Sequence, residues 1–183
     1  LHRQSPIVSG EALISKGLGF SVDLKPQQGD LVGYRAKPHT GVIDIAKLNF
    51  YEPYDFWEEI RTDEGRIILD PGAFYILVSR EAITIPPNCA AEMAPYLAMV
   101  GEFRVHYAGF FDPGFGYSSS GAGSRGVLEV RCHEVPFVLE HGQIVGRLIY
   151  EKMSEIPEQL YGFDIKSNYQ GQRLKLSKHF KTS

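Results

Sequence analysis

The run Gly126-Val127-Leu128-Glu129-Val130-Arg131 holds the acid with the most chemical promise in this chain, and its neighbours set what that acid can do. On a strand face shared with Val127, burial of the Glu129 carboxyl would disfavour its charge and suit it to work as a general base, which is one expectation for this residue. Arg131, two residues on, can instead pair with it, favour its charged form and turn both into a structural ion pair. Residue chemistry alone leaves both readings open. Other motifs drop out. Gly121-Ala-Gly-Ser-Arg-Gly126 has dinucleotide spacing, yet such a fingerprint follows a strand and opens a helix. Here it follows three serines and leads into Val-Leu-Glu-Val-Arg, as a flexible hairpin loop would. His133-Glu134 begins a zinc-protease pattern, but Phe137 stands where the second histidine is needed. Neither the H-x-E and P-C-x-x-C pair of zinc-dependent base deaminases nor a P-loop occurs. The six histidines are scattered and read as surface or hydrogen-bonded residues rather than metal ligands.

Strands must carry these residues. Leu128, Val130 and Cys132 fall on one face and Val127, Glu129 and Arg131 on the other, by the two-residue period of a sheet. Upstream, Phe103, Val105 and Tyr107 alternate with Glu102, Arg104 and His106 in the same way. Between the two strands, Asp112-Pro113-Gly114 stops pairing, because proline lacks a donor and glycine accepts positive φ. Further strands are expected at 20–24, 30–36, 41–45, 66–69, 73–79, 81–85, 90–101, 137–139 and 144–150. Turns fall at Asp70-Pro71-Gly72 and Glu140-His141-Gly142. Residues 9–17 have a helical cap, Ser9, and a stop, Gly17, and predict one or two helical turns. The aromatic stretch 49–65 has no clean period and is expected to pack on the surface as a minor core. Many short strands with Pro-Gly corners predict an all-β sandwich or barrel.

The 183 residues suit one domain, and a hydrophobic fraction of 43% supplies an ordinary core. A net charge of -3 gives no global field toward nucleic acid. Basic residues gather near the end, in Arg173, Lys175, Lys178 and Lys181, as a solvated or an anion-binding tail. Two cysteines, Cys89 and Cys132, make neither a disulfide framework nor a four-ligand zinc site, which points to a reducing, cytoplasmic setting. No apolar run approaches the ~18 residues of a membrane span. The first ten residues have no apolar core of a signal peptide and no initiating methionine, as expected of a fragment, a processed product or half of something longer.

Four stretches taken together resemble one family. They are LDPGAFYILVSREAITIPP (69–87), FFDPGFG (110–116), GVLEVRCHEVPFVLEHGQIVGRLIYEKM (126–153) and SNYQGQ (167–172). Their order and spacing are similar to the dCTP deaminase branch of the dCTP deaminase and dUTPase superfamily, most like the C-terminal half of long, duplicated bacterial members. An expanded loop at 117–125 interrupts the match. The resemblance implies a β-clip or distorted jelly-roll fold, with 1–19 as linker and short helix, 20–156 as the β domain and 157–183 as a closing tail. It also implies a homotrimer or pseudo-trimer with nucleotide sites between subunits, and partners that are nucleotides rather than nucleic acid or membrane. The implied reaction is hydrolysis of dCTP to dUTP and ammonia without zinc, with Mg2+ accompanying the triphosphate. dUTP and dTTP are further candidate ligands. Glu129 falls on the family's catalytic glutamate. Val127 would hold the base edge through its backbone, Asp112 is the acidic corner residue, and Tyr161 packs against the nucleotide. Asn168, Tyr169 and Gln172 lie in the segment that closes over the triphosphate.

The chain departs from that pattern in one segment and one tail position. Pro95 and Tyr96 stand where two adjacent serines are expected, Met99 where an arginine is, and Asn168 where a lysine is. Methionine neither neutralises a phosphate nor orients a water. Two expectations follow: Glu129 works with groups supplied by another domain or subunit, or this chain is a catalytically silent structural half. A dUTPase, with Asp112 activating water, is the enzymatic alternative.

Overall fold

The computed structural model describes residues 7–8, 13–25, 31–95, 109–117, 122–162 and 174–182, and the backbone of 103–105. Tyr96, Met99, Asn168, Tyr169 and Gln172 lie outside them. Eleven strands and one four-residue helix follow in order among the described residues: β1 (Leu18–Ser21), β2 (Leu31–Ala36), α1 (Pro53–Phe56), β3 (Trp57–Arg61), β4 (Arg66–Leu69) and β5 (Phe74–Ile83), then β6 (Cys89–Ala94), β7 (Phe103–Val105), β8 (Phe110–Phe111), β9 (Ser124–Cys132), β10 (Phe137–Glu140) and β11 (Ile144–Lys152). They form a five-stranded sheet β3-β2-β5-β9-β7, a four-stranded sheet β1-β11-β6-β8 and a two-stranded ribbon β10-β4. Every named strand pair is antiparallel. The fold is the expected all-β, jelly-roll-like arrangement. None of its described helices is long and apolar enough to cross a membrane.

The core lies where the sheets meet. Leu18, Phe20 and Leu148 from the smaller sheet join Leu77, Leu128 and Val130 from the larger one, and Leu69 and Leu139 from the ribbon. Alternation alone places them: along β9 Ser124, Gly126, Leu128, Val130 and Cys132 are buried, while Val127, Glu129 and Arg131 turn outward. This is the division of faces that the sequence predicts. Both cysteines are buried and free.

β5 is one ten-residue strand where two were expected. Its register against β9 slips between Val78 and Ala82, so three residues oppose Gly126 alone. The slip is a bulge rather than a break because side chains satisfy the freed backbone. The Gly126 N–H donates to Ser79 Oγ at 2.9 Å, and that hydroxyl donates to the Glu81 carbonyl at 2.8 Å. The Glu81 carboxylate in turn accepts the backbone N–H and hydroxyl of Ser21 at 2.7 and 2.6 Å, tying the bulge to β1.

Three expected elements differ. Of the helical turn expected at 9–17, residues 9–12 lie outside the described ones, and 13–17 are a bend: Ile14 bridges Leu18, and Lys16 and Gly17 take φ of 53° and 123°, which no right-handed helix continues. Residues 41–45 form no strand; Val42 and Ile45 are 94% and 79% exposed, so their apolar side chains find no sheet to join. The stretch 49–65 is more than a surface excursion, since Trp57–Arg61 becomes β3 and pairs with β2.

The end of the chain completes the outer layer. Tyr51 bridges Phe180 in parallel, the Asn49 and Phe50 N–H groups donate to the carbonyls of Lys178 and His179 at 2.9 Å, and Lys181 N–H donates to Tyr51. Phe180 sits 5.6 Å from Phe56 and 6.0 Å from Trp57, ring to ring. With Ile76 and Leu176 these rings make a second, smaller apolar cluster over the outer face of the larger sheet.

Candidate functional site

Val127 and Glu129 open on a single cavity of about 650 Å3. Its floor is the outer face of the larger sheet, where Glu129 is in register with Ile76 of β5 and Phe74 and Trp57 lie alongside. One wall is Met93 at the end of β6 with Gly109, Phe110 and Phe111 around β8; the other is Ile43 with Lys175, Leu176, Ser177 and Phe180 from the terminal segment. The lining is chiefly aromatic and aliphatic. Among the described lining residues, Glu129 and Lys175 alone carry charge. A cavity of this size and character suits a small organic ligand fixed by a few polar groups.

β7 pairs with β9 from Phe103/Cys132 to Val105/Val130, and among the described residues it goes no further. On the opposite edge the bulge interrupts the ladder just past the Val78–Val127 pair. Bulges beside sites re-aim side chains and free backbone groups. Arg131 has an aromatic seat: its guanidinium lies over the Phe74 ring, 4.8 Å from the centroid.

Asp112 and Tyr161 come together at a different place. Asp112 is exposed and directly follows Phe110 and Phe111, but it does not line the cavity. Its carbonyl accepts the Phe115 N–H at 3.0 Å, and Tyr161 N–H donates to the Pro113 carbonyl at 2.9 Å. The Tyr161 ring lies 5.9 Å from that of Phe115. Gly114 is required here: its φ is +99°, and a Cβ would come within 2.8 Å of the Tyr161 carbonyl. The Asp-Pro-Gly corner is thus a rigid rim beside the cavity. Met93 lines the cavity, and Pro95, two residues on, gives its carbonyl to Arg147 at 3.0 Å.

A family model described as the C-terminal domain of 2'-deoxycytidine 5'-triphosphate deaminase matches residues 1–180. The chain belongs to the dCTP deaminase family. The structure of 2'-deoxycytidine 5'-triphosphate deaminase from Agrobacterium tumefaciens is similar with a TM-score of 0.80 and 55% identity, over 86% of this chain and 48% of that one. The "dCTP deaminase, dUMP-forming" of Beutenbergia cavernae is 33% identical over 118 residues, 63% of this chain and 58% of that protein. That of Clavibacter michiganensis is 33% identical over 140 residues, 72% and 67% of the two chains. This deaminase-family domain therefore spans about half the length of the Agrobacterium chain and somewhat more of the others.

Within the family assignment, Glu129 and Val127 share the cavity, whereas Asp112 and Tyr161 stand at the corner beside it. Sequence reasoning passed over Lys175, Ser177, Trp57 and Phe180 as lining residues. Lys175 was visible only as one of several basic residues near the end, and the others carried no signal, because they reach the cavity from distant elements.

Proposed function

We propose that this domain serves the hydrolytic deamination of dCTP, with Glu129 as the base. The observation that carries the proposal is that Glu129 and Val127, adjacent along one strand face, open on a nucleotide-sized cavity in a chain of this family. The cytosine edge would meet the Val127 backbone. Glu129 would take a proton from a water attacking C4, then return protons to N3 and to the departing nitrogen, giving dUTP and ammonia. Asp112 and Tyr161 would bound the sugar side from the corner, and Asn168, Tyr169 and Gln172 would close over the phosphates. On this reading 20–156 is the β domain, 157–183 the closing tail, the working unit a trimer or pseudo-trimer, and the setting cytoplasmic. Magnesium would arrive on the triphosphate, held chiefly by phosphate oxygens and water, and offset part of its charge.

Pro95 supports a second reading, a silent half. It is exposed, has no side-chain donor, and its carbonyl is taken by Arg147, so it offers no hydroxyl where one would serve chemistry. The intact protein separates these readings. Ammonia release from dCTP is expected, with Glu129→Gln lowering the rate at least ~100-fold, the usual contribution of an acid–base group. Wild-type turnover in that variant rejects Glu129 as base. Micromolar binding of dCTP to the isolated chain by titration calorimetry rejects silence. Relatives carrying the words "dUMP-forming" in their names make dUMP and pyrophosphate the second products to quantify, from dCTP and from dUTP. Pyrophosphate release that survives Glu129→Gln and is lost in Asp112→Asn favours a dUTPase.

A further inference from the structure

We propose that Lys175 is the cation that receives the phosphates of a nucleotide whose base lies at Glu129. This rests on the nucleotide reading above and adds the residue that holds the other end of the substrate. The three lysines of the described terminal segment have different fates. Lys181 pairs with Glu52 on the surface, and Lys178 is exposed to solvent. Lys175 is half-buried and lines the cavity, which neither of the others does.

Its position is fixed from both sides. Leu174 and Leu176 pack into the outer apolar cluster, and the following residues are hydrogen-bonded to 49–51. A lysine emerging from an anchored backbone loses less entropy on meeting a ligand than one on a loose tail. Electrostatics then favour one orientation of the ligand. The Glu129 carboxylate repels phosphate and accepts the neutral base, so a nucleotide with its base at Glu129 turns its anionic end away from that carboxylate, and Lys175 is the cationic side chain among the described lining residues. An ammonium on a flexible stem is a common point-charge partner for phosphate, and the Ser177 hydroxyl in the same lining adds a donor.

Calorimetry on the intact protein tests this with dCTP, deoxycytidine and inorganic tripolyphosphate as probes. Lys175→Ala is expected to weaken dCTP roughly 10- to 100-fold, the worth of a charge-assisted contact, and to leave deoxycytidine within about twofold. Tripolyphosphate should compete with dCTP on the wild type and lose that ability on Lys175→Ala. Lys175→Arg should keep most of the affinity, and Lys178→Ala all of it. Unchanged dCTP affinity in Lys175→Ala, or equal loss for dCTP and deoxycytidine, overturns the lysine assignment and leaves the deaminase reading standing. An arginine variant as weak as the alanine one overturns it too. A wild-type protein that binds none of the three probes takes both readings down.

Discussion

Tyr150 shows how much a single buried group can set. Its hydroxyl lies 3.2 Å from the Thr84 carbonyl, and burial, with a smaller contribution from Cys89, pushes its phenol well above the ordinary range. A group whose folded pKa is raised stabilises the fold below its unfolded pKa, and that contribution is lost as pH climbs toward the folded value. Unfolded tyrosine titrates near pH ~10, so stability is expected to fall above it by about 1.4 kcal/mol per pH unit for each such proton. Tyr34 and Tyr75, also raised chiefly by burial, add to the slope. Tyr150→Phe should flatten the decline, measured as urea midpoints between pH 8 and ~11; an unaltered slope would clear Tyr150 of the effect. None of this was legible beforehand, because a tyrosine's depth depends on strands far away in sequence. Glu129 was legible, because two-residue alternation needs only its immediate neighbours. Lys175 and Ser177, which line the same cavity, were not, since they lie far along the chain from Glu129.

Strand β9 carries the candidate site, and its inner face is fitted closely against β1. A Cβ added at Gly126 would lie 2.4 Å from Cζ of Phe20, a ring with no exposed surface. The ring cannot swing into solvent, so Gly126→Ala should force the two sheets apart or push β9 outward. Overpacking of this kind costs typically about 1–3 kcal/mol. Because Val127 is the next residue, deamination should fall together with the urea midpoint. Wild-type values for both would mean that the core has slack at Phe20. Short strands flanked by proline and glycine were readable because alternation and turn chemistry are local. The exceptions have a shared cause. Residues 41–45 have strand-forming side chains but pair with no strand among the described residues, and 13–17, the described part of the turn expected at 9–17, are drawn into a bridge with Leu18. In both, tertiary context outweighs propensity. The bulge in β5 was invisible for a related reason: Ser79 and Glu81 look like ordinary strand residues until Gly126 and Ser21 come to meet them.

Charge balance bears on how many chains make one working protein. A triphosphate brings several negative charges, and the cavity's described lining offers Lys175 against Glu129. By resemblance, two further cations should be present, yet positions 99 and 168 are methionine and asparagine. Either magnesium carries most of the remainder, or a neighbouring chain or domain contributes. The cavity's outer rim favours a neighbour: Phe110 lines it and is still 70% exposed, an apolar surface that a second chain could cover. Closed cyclic assembly places the same rim at every junction, so one neighbour per site suffices. The intact protein should therefore sediment as a trimer or as a pseudo-trimer of duplicated chains, and its activity per chain should drop when dilution takes it below the dissociation range of that assembly. Enzyme that stays fully active as a monomer would show that one chain holds the triphosphate alone, and would move the whole burden of neutralisation onto Lys175, the closing tail and the metal.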